Sequence, residues 1–198
     1  MASDLARQVS ELYPYQVLSP SEDSFGLGIL SRFPVTASRP PEYGAGQCSC
    51  LRAAIQLDDR LVTVINAHPL APTIRYVAVG PIELPTDFES KEVVVTLRNL
   101  LELVASTRGP LLLVGDFNTS DRQPLYHELS HHLRDAYRSG SQGFGFTFPS
   151  GTPHNLMFPL MRLDYIFHTD SWSAHAAWTG YLNGSDHRYV VTDIVLRD

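Results

Sequence analysis

The amino-acid sequence predicts an α+β protein in which two sheets pack face to face and helices lie outside them. Three observations support this prediction. Apolar runs of strand length make up most of the pattern, and only two or three segments between them have helical spacing. The length of 198 residues and the hydrophobic share of 43% suit a single domain, residues 1–198, that buries a sizeable core.

Helical spacing occurs in three segments of the chain. Residues 4–13 form a short amphipathic pattern that a serine or an aspartate can cap. The clearest helix covers residues 91–106, where apolar residues recur on one face until Gly109-Pro110 ends the pattern. Residues 123–133 are interpreted as a further helix.

Strands are indicated by short apolar runs between turn residues. The runs CSCLRAAIQL and RLVTVINAH, joined by Asp58-Asp59, are typical of a β-hairpin, and LLLVG at 111–115 has the continuous apolar character of a buried strand. Further strands are predicted at residues 15–18, 27–31, 162–168, 174–179 and 189–196. Irregular segments are predicted at residues 38–46, 70–90 and 141–160, which are rich in glycine or proline.

The charge balance disfavours one class of partner. The formal net charge is -6, and no basic run is present, whereas proteins that hold long nucleic acids usually have a basic surface. A phosphate-containing substrate stays compatible with this charge, because a bound cation can invert the local field. No apolar run reaches the roughly 18 residues of a transmembrane helix, and the first residues lack a signal-peptide core, so a cytoplasmic location is expected.

The two cysteines, Cys48 and Cys50, are separated by one residue. In a strand this spacing puts both side chains on one face, about 6.5–7 Å apart. That distance is at or beyond the usual reach of a disulfide, so we expect two small buried or half-buried side chains. A zinc site would need more ligands than this pair supplies.

Polar residues with acid/base or metal-binding chemistry follow the ends of several apolar runs. VTVINAH ends in a histidine, LLLVGDFN ends in an acid and an amide, and GSDH follows the probable strand at 174–179. A further acid lies inside the apolar run RLDYIF, where it is costly unless it is paired. These residues are His68, Asp116, Asn118, Asp164, Asp186 and His187.

Each of these motifs, taken singly, also has a purely structural explanation. Asp-Phe-Asn is good turn chemistry, and Ser-Asp-His can cap a helix or form a turn. His68, which precedes Pro69, could be a partly buried histidine, and Asp164 could pair with Arg162 or Arg188. The joint occurrence of these motifs beside strands, in one order, favours the functional interpretation.

The order of these motifs along the chain and their residue types closely resemble the endonuclease/exonuclease/phosphatase superfamily. The matching segments are NAH ending at His68, GDFN at 115–118, RLDY at 162–165, SDH at 185–187 and SRFPV at 31–35. The resemblance implies a four-layer α/β sandwich of two mainly antiparallel sheets flanked by helices, with the active site at one end. It also implies hydrolysis of a phosphoester by water, with Mg²⁺ or Mn²⁺ as the cofactor.

The resemblance assigns catalytic roles residue by residue. Asp116 is expected to orient or deprotonate the attacking water, and Asn118 to hold the phosphate or a metal-bound water. His187 is expected to face a phosphoryl oxygen, with Asp164 as its hydrogen-bond partner. His68 is expected to stabilise charge at the scissile phosphate or to protonate the leaving oxygen.

The resemblance also suggests binding residues. Asp116, Asn118 and Asp186 are the expected metal ligands. Substrate-binding positions are expected at Asn66, Tyr165 and Ser185. The Phe- and Pro-rich loop at 144–160 either faces the substrate or packs its aromatic rings on the sandwich. The substrate is expected to be a nucleic acid, a phospholipid headgroup or another small phosphoester, because fold membership does not choose among them.

The sequence departs from the family pattern at its start. Family members have two strands, ending in an asparagine and in a metal-binding glutamate, before the helix that residues 4–13 would form. The resemblance therefore implies that both strands are missing, which would leave exposed strand edges and favour a homo-oligomer. Loss of the asparagine and of the metal-binding glutamate is expected to weaken hydrolysis. The alternatives to an active enzyme are a non-catalytic binding or structural relative, or a fragment of a longer enzyme.

Overall fold

The structure is a computed structural model of the chain. It describes residues 2–22, 26–41, 48–71, 73–79, 82–89, 91–150 and 159–197. Its helices are α1 (Ala2–Gln8), α2 (Lys91–Ser106), α3 (Pro124–His132) and α4 (Ala136–Gly140). Its strands are β1 (Tyr15–Ser19), β2 (Leu27–Ser31), β3 (Val35–Arg39), β4 (Cys50–Leu57), β5 (Arg60–Ala67), β6 (Thr73–Val79), β7 (Ile82–Glu89), β8 (Leu111–Asp116), β9 (Arg134–Asp135), β10 (Asp164–His168), β11 (Trp172–Tyr181) and β12 (Arg188–Leu196).

A six-stranded sheet with the order β3-β4-β5-β8-β10-β9 forms the centre of the described fold. Its neighbouring strands are antiparallel, except that β5 and β8 run parallel. A parallel pair needs a crossover connection, and α2 lies in this one. Further two-stranded antiparallel sheets are formed by β1–β2, β6–β7 and β11–β12.

The main core lies between this sheet and α2. Leu97 and Leu100 of α2 pack in one cluster with Ile65, Leu113 and Phe167 from three neighbouring strands. The buried residues of α2 recur every three or four positions, so one face of the helix is apolar. Packing of this face onto the sheet fixes the crossover and, with it, the relative position of β5 and β8.

A smaller cluster lies on the opposite face of the sheet. Ile29 of β2 packs there with Leu51 and Ala53 of β4. Helices, central sheet and a second layer of strands therefore follow one another, as the predicted α+β class requires. Among the described helices, none is long and apolar enough to cross a membrane.

Most of the predicted elements are confirmed. The helix at 91–106 has the predicted bounds, the helix at 123–133 differs by one residue at each end, and the β4–β5 hairpin turns at Asp58. The first helix is shorter than predicted, because backbone bonds from Leu12 and Tyr13 to Val9 form turns instead of continuing it. The short elements β3, β9 and α4 were not predicted.

The prediction of an irregular connection at 70–90 is wrong. Residues Thr73–Val79 and Ile82–Glu89 form the antiparallel pair β6–β7, with a register shift between Arg75 and Tyr76. The prolines of this segment argued against strands because proline cannot donate to a ladder. Pro85 pairs with Tyr76, the first residue after that shift. It therefore lies where the regular pairing of the two strands is already interrupted.

The expectation of two unlinked cysteines is also wrong. Cys48 and Cys50 form a disulfide, and their Cα atoms are 5.3 Å apart. Ser49 between them has a φ of 47°, so the backbone is not extended there as the prediction assumed. The left-handed residue shortens the separation into the normal range for a disulfide.

Candidate active site

The site is built where three neighbouring strands of the central sheet meet at one edge. The parallel strands β5 and β8 end at Ala67 and Asp116, and β10 begins at Asp164. Because β8 and β10 are antiparallel, the end of one lies beside the start of the other, and Asp116 and Asp164 are direct partners. Asp164 is therefore the first residue of its strand, whereas the prediction from sequence placed it inside the strand.

Gly115 permits the close approach of β8 to β5 at this edge. Its φ is 137°, and a Cβ atom at this position would lie 2.0 Å from the carbonyl oxygen of Ala67. Only glycine tolerates both conditions. The glycine of GDFN therefore brings Asp116 next to the residue that precedes His68.

Asp116 lies between two imidazoles. Its Oδ2 atom is 3.8 Å from Nε2 of His68 and 3.8 Å from Nε2 of His187. Its Oδ1 atom accepts the backbone N–H of Asn118 at 2.8 Å, so the motif makes the predicted turn while the other oxygen faces the histidines. Asp116 therefore stabilises the turn with one carboxylate oxygen and faces the two histidines with the other.

Burial raises the pKa of the Asp116 carboxyl, and the charge of Asp164 raises it further. The N–H of Asn118 and the two imidazoles oppose this rise without cancelling it. Two carboxylates that face each other across a strand pair repel one another, so the site carries an unfavourable electrostatic interaction. A raised carboxyl pKa in a cleft is typical of a proton-accepting group.

Asp164 and His187 form a closely bonded pair. Nδ1 of His187 lies 2.7 Å from Oδ2 of Asp164, which directs the opposite ring nitrogen toward Asp116. Burial lowers the pKa of His187, but the hydrogen bond and charge of Asp164, with the charges of Asp116 and Asp186, outweigh it and leave the pKa raised. Asp164 thus pairs with the histidine and with neither of the arginines considered from the sequence.

Asn118 links the loop after β8 to the loop after β5. Its φ is 48°, a left-handed conformation that asparagine adopts more readily than most residues. Its side-chain amide donates to the carbonyl of Pro69 at 2.9 Å. The residue next to His68 is therefore held by the same motif that carries Asp116.

The site contains one group of residues that could hold a metal ion. One ligand atom from each of Asp116, Asp164 and His187 lies within 4.8 Å of the others. All three are partly buried, so a cation between them would be partly shielded from water. Within the described part of the chain, this is the group that geometry selects.

The sequence that carries these motifs also matches a model of a known protein family. A sequence model of the Endonuclease/Exonuclease/phosphatase family matches residues 2–187. The chain belongs to this family. A search among curated proteins found no match.

Solved structures share the fold at low sequence identity. The endonuclease/exonuclease/phosphatase from Bacteroides vulgatus is 16% identical with a TM-score of 0.71, over 99% of this chain and 80% of that one. D. rerio TDP2 complexed with single strand DNA product is 15% identical with a TM-score of 0.71, over 98% and 81%. A mannosyl-6-phosphatase from Bacteroides thetaiotaomicron is 16% identical with a TM-score of 0.61, over 98% and 82%.

Tyr165, a predicted substrate-binding residue of the RLDY motif, lies in the core. Tyr165 is 3% exposed and packs in the main cluster with Phe117 and Phe167. Its hydroxyl oxygen lies 2.6 Å from the carbonyl oxygen of Arg162 and 2.9 Å from that of Thr119, and its single hydrogen is shared between these two acceptors. The substrate-binding assignment of Tyr165 is therefore corrected: the tyrosine supports the backbone beside Asp116 and Asp164 from within.

The other predicted binding residues lie near the histidines or bond to the second layer of strands. The hydroxyl of Ser185 accepts the backbone N–H of His187 at 3.1 Å, which fixes the turn before the ring. The exposed Asp186 is close enough to raise the pKa of His187, but it lies outside the three-residue group that could hold a metal. The amide of Asn66 donates to the carbonyl of Gly28 on β2 at 3.0 Å.

Two residues of the site were not found by sequence reasoning. Arg162, only 1% exposed, makes an ion pair of 2.7 Å with Asp135 and lies over the ring of Tyr165 at 4.7 Å. Phe148, in the loop expected either to face the substrate or to pack its rings on the sandwich, has its ring centre 4.9 Å from that of His187. Neither position follows an apolar strand, which was the signal that the sequence analysis used.

Proposed function

We propose that this member of the endonuclease/exonuclease/phosphatase family is a metal-dependent hydrolase of phosphoester bonds. The observation that carries the proposal is the placement of Asp116 between two imidazole nitrogens, each 3.8 Å away, with one imidazole held by Asp164 at 2.7 Å. This arrangement offers a proton acceptor and two proton donors around one point. Phosphoester hydrolysis needs a group that accepts the proton of the attacking water and groups that donate to the phosphoryl and leaving oxygens.

The reaction follows from these positions. Asp116 accepts a proton from the attacking water, and a raised carboxyl pKa makes it a better base than an ordinary aspartate. His187, oriented by Asp164, donates to a non-bridging phosphoryl oxygen as negative charge develops there. Water adds to the phosphorus, the bond to the leaving oxygen breaks, and His68 transfers a proton to that oxygen.

A divalent metal fits the donor set. Asp116 and Asp164 are direct strand partners whose charges repel, and a cation beside them would remove that repulsion. The carboxylate oxygens of Asp116 and Asp164 suit Mg²⁺ and also Mn²⁺, while both nitrogens of His187 are used for its bond to Asp164 and for proton donation. When bound, the metal polarises the phosphoryl oxygens. Asn118 and Asp186 stay predicted ligands from the resemblance.

The proposal is tested by steady-state hydrolysis of bis-p-nitrophenyl phosphate and p-nitrophenyl phosphate in millimolar Mg²⁺ or Mn²⁺. Turnover is expected in the wild type, and Asp116→Asn or His187→Gln should each lower kcat by about 100-fold or more. Matched controls are the exposed Asp193→Asn on β12 and the exposed His132→Gln on α3, which should keep wild-type kcat.

The outcomes separate the proposal from its alternatives. Turnover that survives Asp116→Asn would overturn the assignment of the site. No turnover by the wild type, together with metal binding in a calorimetric titration, would favour the non-catalytic binding relative. The ratio of diester to monoester turnover indicates whether nucleic-acid or phospholipid diesters, or small monoesters, are the substrate class to examine.

The proposed oligomer and location complete the functional picture. A homo-oligomer formed through the β1–β2 and β11–β12 sheets is supported by the exposed apolar residues that both carry, such as Leu18, Trp178 and Tyr189. A cytoplasmic location stays a prediction. The Cys48–Cys50 disulfide weighs against it, because persistent disulfides are uncommon there.

A further inference from the structure

Thr147 lies between the two segments that carry Asp164 and His187. Its side chain is 0% exposed and belongs to no helix or strand. The Thr147 hydroxyl accepts the backbone N–H groups of Leu163, at 3.1 Å, and Asp164, at 3.3 Å. The carbonyl oxygen of Thr147 accepts the N–H of Arg188 at 2.8 Å. One residue thus bonds to the backbone on both sides of the Asp164–His187 pair.

This bridge replaces a connection that the sheets do not supply. Asp164 begins β10 in the central sheet, whereas His187 directly precedes β12, which pairs with β11 in another sheet. Among the described strands, β10 and β12 share no ladder of hydrogen bonds. The 2.7 Å contact between the two side chains therefore depends on other links between their backbones.

The residues after Thr147 add two such links. The ring of Phe148 lies against the imidazole of His187, with 4.9 Å between ring centres. The N–H of Ser150 donates to the carbonyl of Asp186 at 2.7 Å. Of the hydrogen bonds among these contacts, those of the Thr147 hydroxyl are the ones that a side-chain substitution can remove without changing the backbone.

The chemistry of the hydroxyl makes its role separable from that of its bulk. A threonine hydroxyl has two acceptor lone pairs, which matches the two N–H groups that it receives. Valine has almost the same shape but no acceptor, so it would leave both buried amides without this partner. Serine keeps the acceptor and loses only the methyl group.

We propose that Thr147 is a positioning residue for hydrolysis, and that it sets the spacing of the Asp164–His187 pair by bonding to both backbone segments. The inference rests on the proposed function, because it concerns the pair acting in that reaction. The Thr147 hydroxyl bonds to the backbone N–H of Asp164, whereas the Asp164 carboxylate bonds to His187. Thr147 acts through Asp164, whose backbone it holds at the first residue of β10.

The test compares Thr147→Val with Thr147→Ser on bis-p-nitrophenyl phosphate. The valine variant should lose about 10- to 100-fold in kcat with KM changed less than about twofold, because sub-ångström misplacement of a catalytic group affects the chemical step. The serine variant should stay within about threefold of wild type, because it retains the acceptor. If the valine variant does not fold, Thr147→Cys, whose thiol is a weak acceptor, takes its place with the same expected direction.

A double-mutant cycle distinguishes positioning from general structural support. In an Asp164→Asn background, Thr147→Val should change kcat less than about twofold, since the pair that it positions is already impaired. Equal losses in both backgrounds, a wild-type kcat in the valine variant, or a rise in KM alone would each overturn the inference. A wild type without turnover would overturn the proposed function and the inference together, whereas turnover that needs Asp116 but ignores Thr147 overturns the inference alone.

Discussion

At the scale of single residues, the site is organised around opposing electrostatic demands. Asp116 is buried beside a second carboxylate, which disfavours its charge, while the imidazoles favour it. His187 experiences the reverse, since burial disfavours its cation and three carboxylates favour it. The two groups therefore hold pKa values above their usual ones, for different reasons. The raised pKa of Asp116 is useful for proton transfer and costly for the stability of the metal-free protein, whereas that of His187 adds to stability when the ring is protonated.

The first prediction concerns that cost. Asp116→Asn should increase the free energy of unfolding of the metal-free protein at pH 7 while it abolishes turnover. Because the folded-state pKa of Asp116 is raised, the aspartate destabilises the fold once the pH rises through that pKa, and the neutral asparagine does not. The increase should vanish below the unfolded pKa of about 3.9.

Urea unfolding in the presence of a chelator at pH 7 and pH 3.5 measures this difference. Asp193→Asn, an exposed aspartate on β12, is the matched control and should show no increase at pH 7. A lower stability of Asp116→Asn at pH 7 would contradict the proposed electrostatic conflict.

The second prediction concerns His187. Its raised pKa means that the protonated ring stabilises the folded state. This stabilisation is complete below the unfolded-state pKa of about 6.5 and is lost as the pH rises through the folded-state pKa. The loss of stability caused by His187→Gln should therefore be larger at pH 6 than at pH 9. Chelator-treated wild type and variant are compared by urea unfolding at both values, and a loss that grows with pH would be inconsistent with the Asp164 bond as its cause.

At the residue scale, the structure brings together polar groups that the sequence placed directly after strands. His68, Asp116 and Asn118 were selected in this way, and GSDH was selected because it follows the strand predicted at 174–179. Arg162 and Thr147 were missed because their partners lie far away in sequence, and nothing local marks them as buried. Tyr165 was misassigned because an aromatic residue beside a catalytic acid has the same sequence pattern whether it faces the core or the cleft.

At the scale of elements, the parallel pairing of β5 and β8 brings the residues that follow these two strands together, so that His68 lies close to Asp116. Hydrophobic spacing predicted α2 because one face of the helix is almost continuously apolar. The hairpin β6–β7 could not be predicted in the same way, since its prolines and glycine resemble a loop and its pairing depends on a register that only the fold defines. The disulfide was missed for a related reason, because the left-handed φ of Ser49 has no signal in the sequence.

The third prediction tests the close approach of β5 and β8. Gly115→Ala should destabilise the protein by more than about 1 kcal/mol, because alanine is strained at positive φ and its Cβ would meet the Ala67 carbonyl. Gly109→Ala is the control, since its φ is also positive, at 83°, but no atom lies within 4 Å of the added Cβ. Chemical unfolding should show a clearly larger loss at Gly115, and equal losses would mean that conformational strain, not the strand contact, is responsible.

At the scale of the whole molecule, the described strands are unevenly covered. The central sheet has α2 and α3 on one face and β2 on the other, whereas β1–β2 and β11–β12 are only two strands wide. Two-stranded sheets are marginally stable in isolation and gain from further pairing. Exposed Trp178 and Tyr181 on β11 show that apolar surface accompanies these short sheets.

The fourth prediction follows from this uneven coverage. The protein should form a dimer or a higher oligomer at micromolar concentration, with more than about 1,000 Å² of surface buried in total. Trp178→Lys should shift the assembly toward the monomer, because it places a charge on the proposed contact surface. Val94→Lys, at a comparably exposed position on α2, should not. Light scattering coupled to size-exclusion chromatography reports the mass of each variant, and a monomeric wild type would refute the prediction.

The crossover between β5 and β8 also makes one part of the molecule exchangeable. Any segment inserted between Ala67 and Lys91 emerges directly beside His68, and the hairpin β6–β7 is such a segment. Its two attachment points are fixed independently, one by strand pairing and the other by the buried face of α2. Replacement of Thr73–Glu89 by hairpins of other lengths should therefore change the segment that follows His68 while Asp116, Asp164 and His187 keep their places, which makes this segment a natural module for redesign.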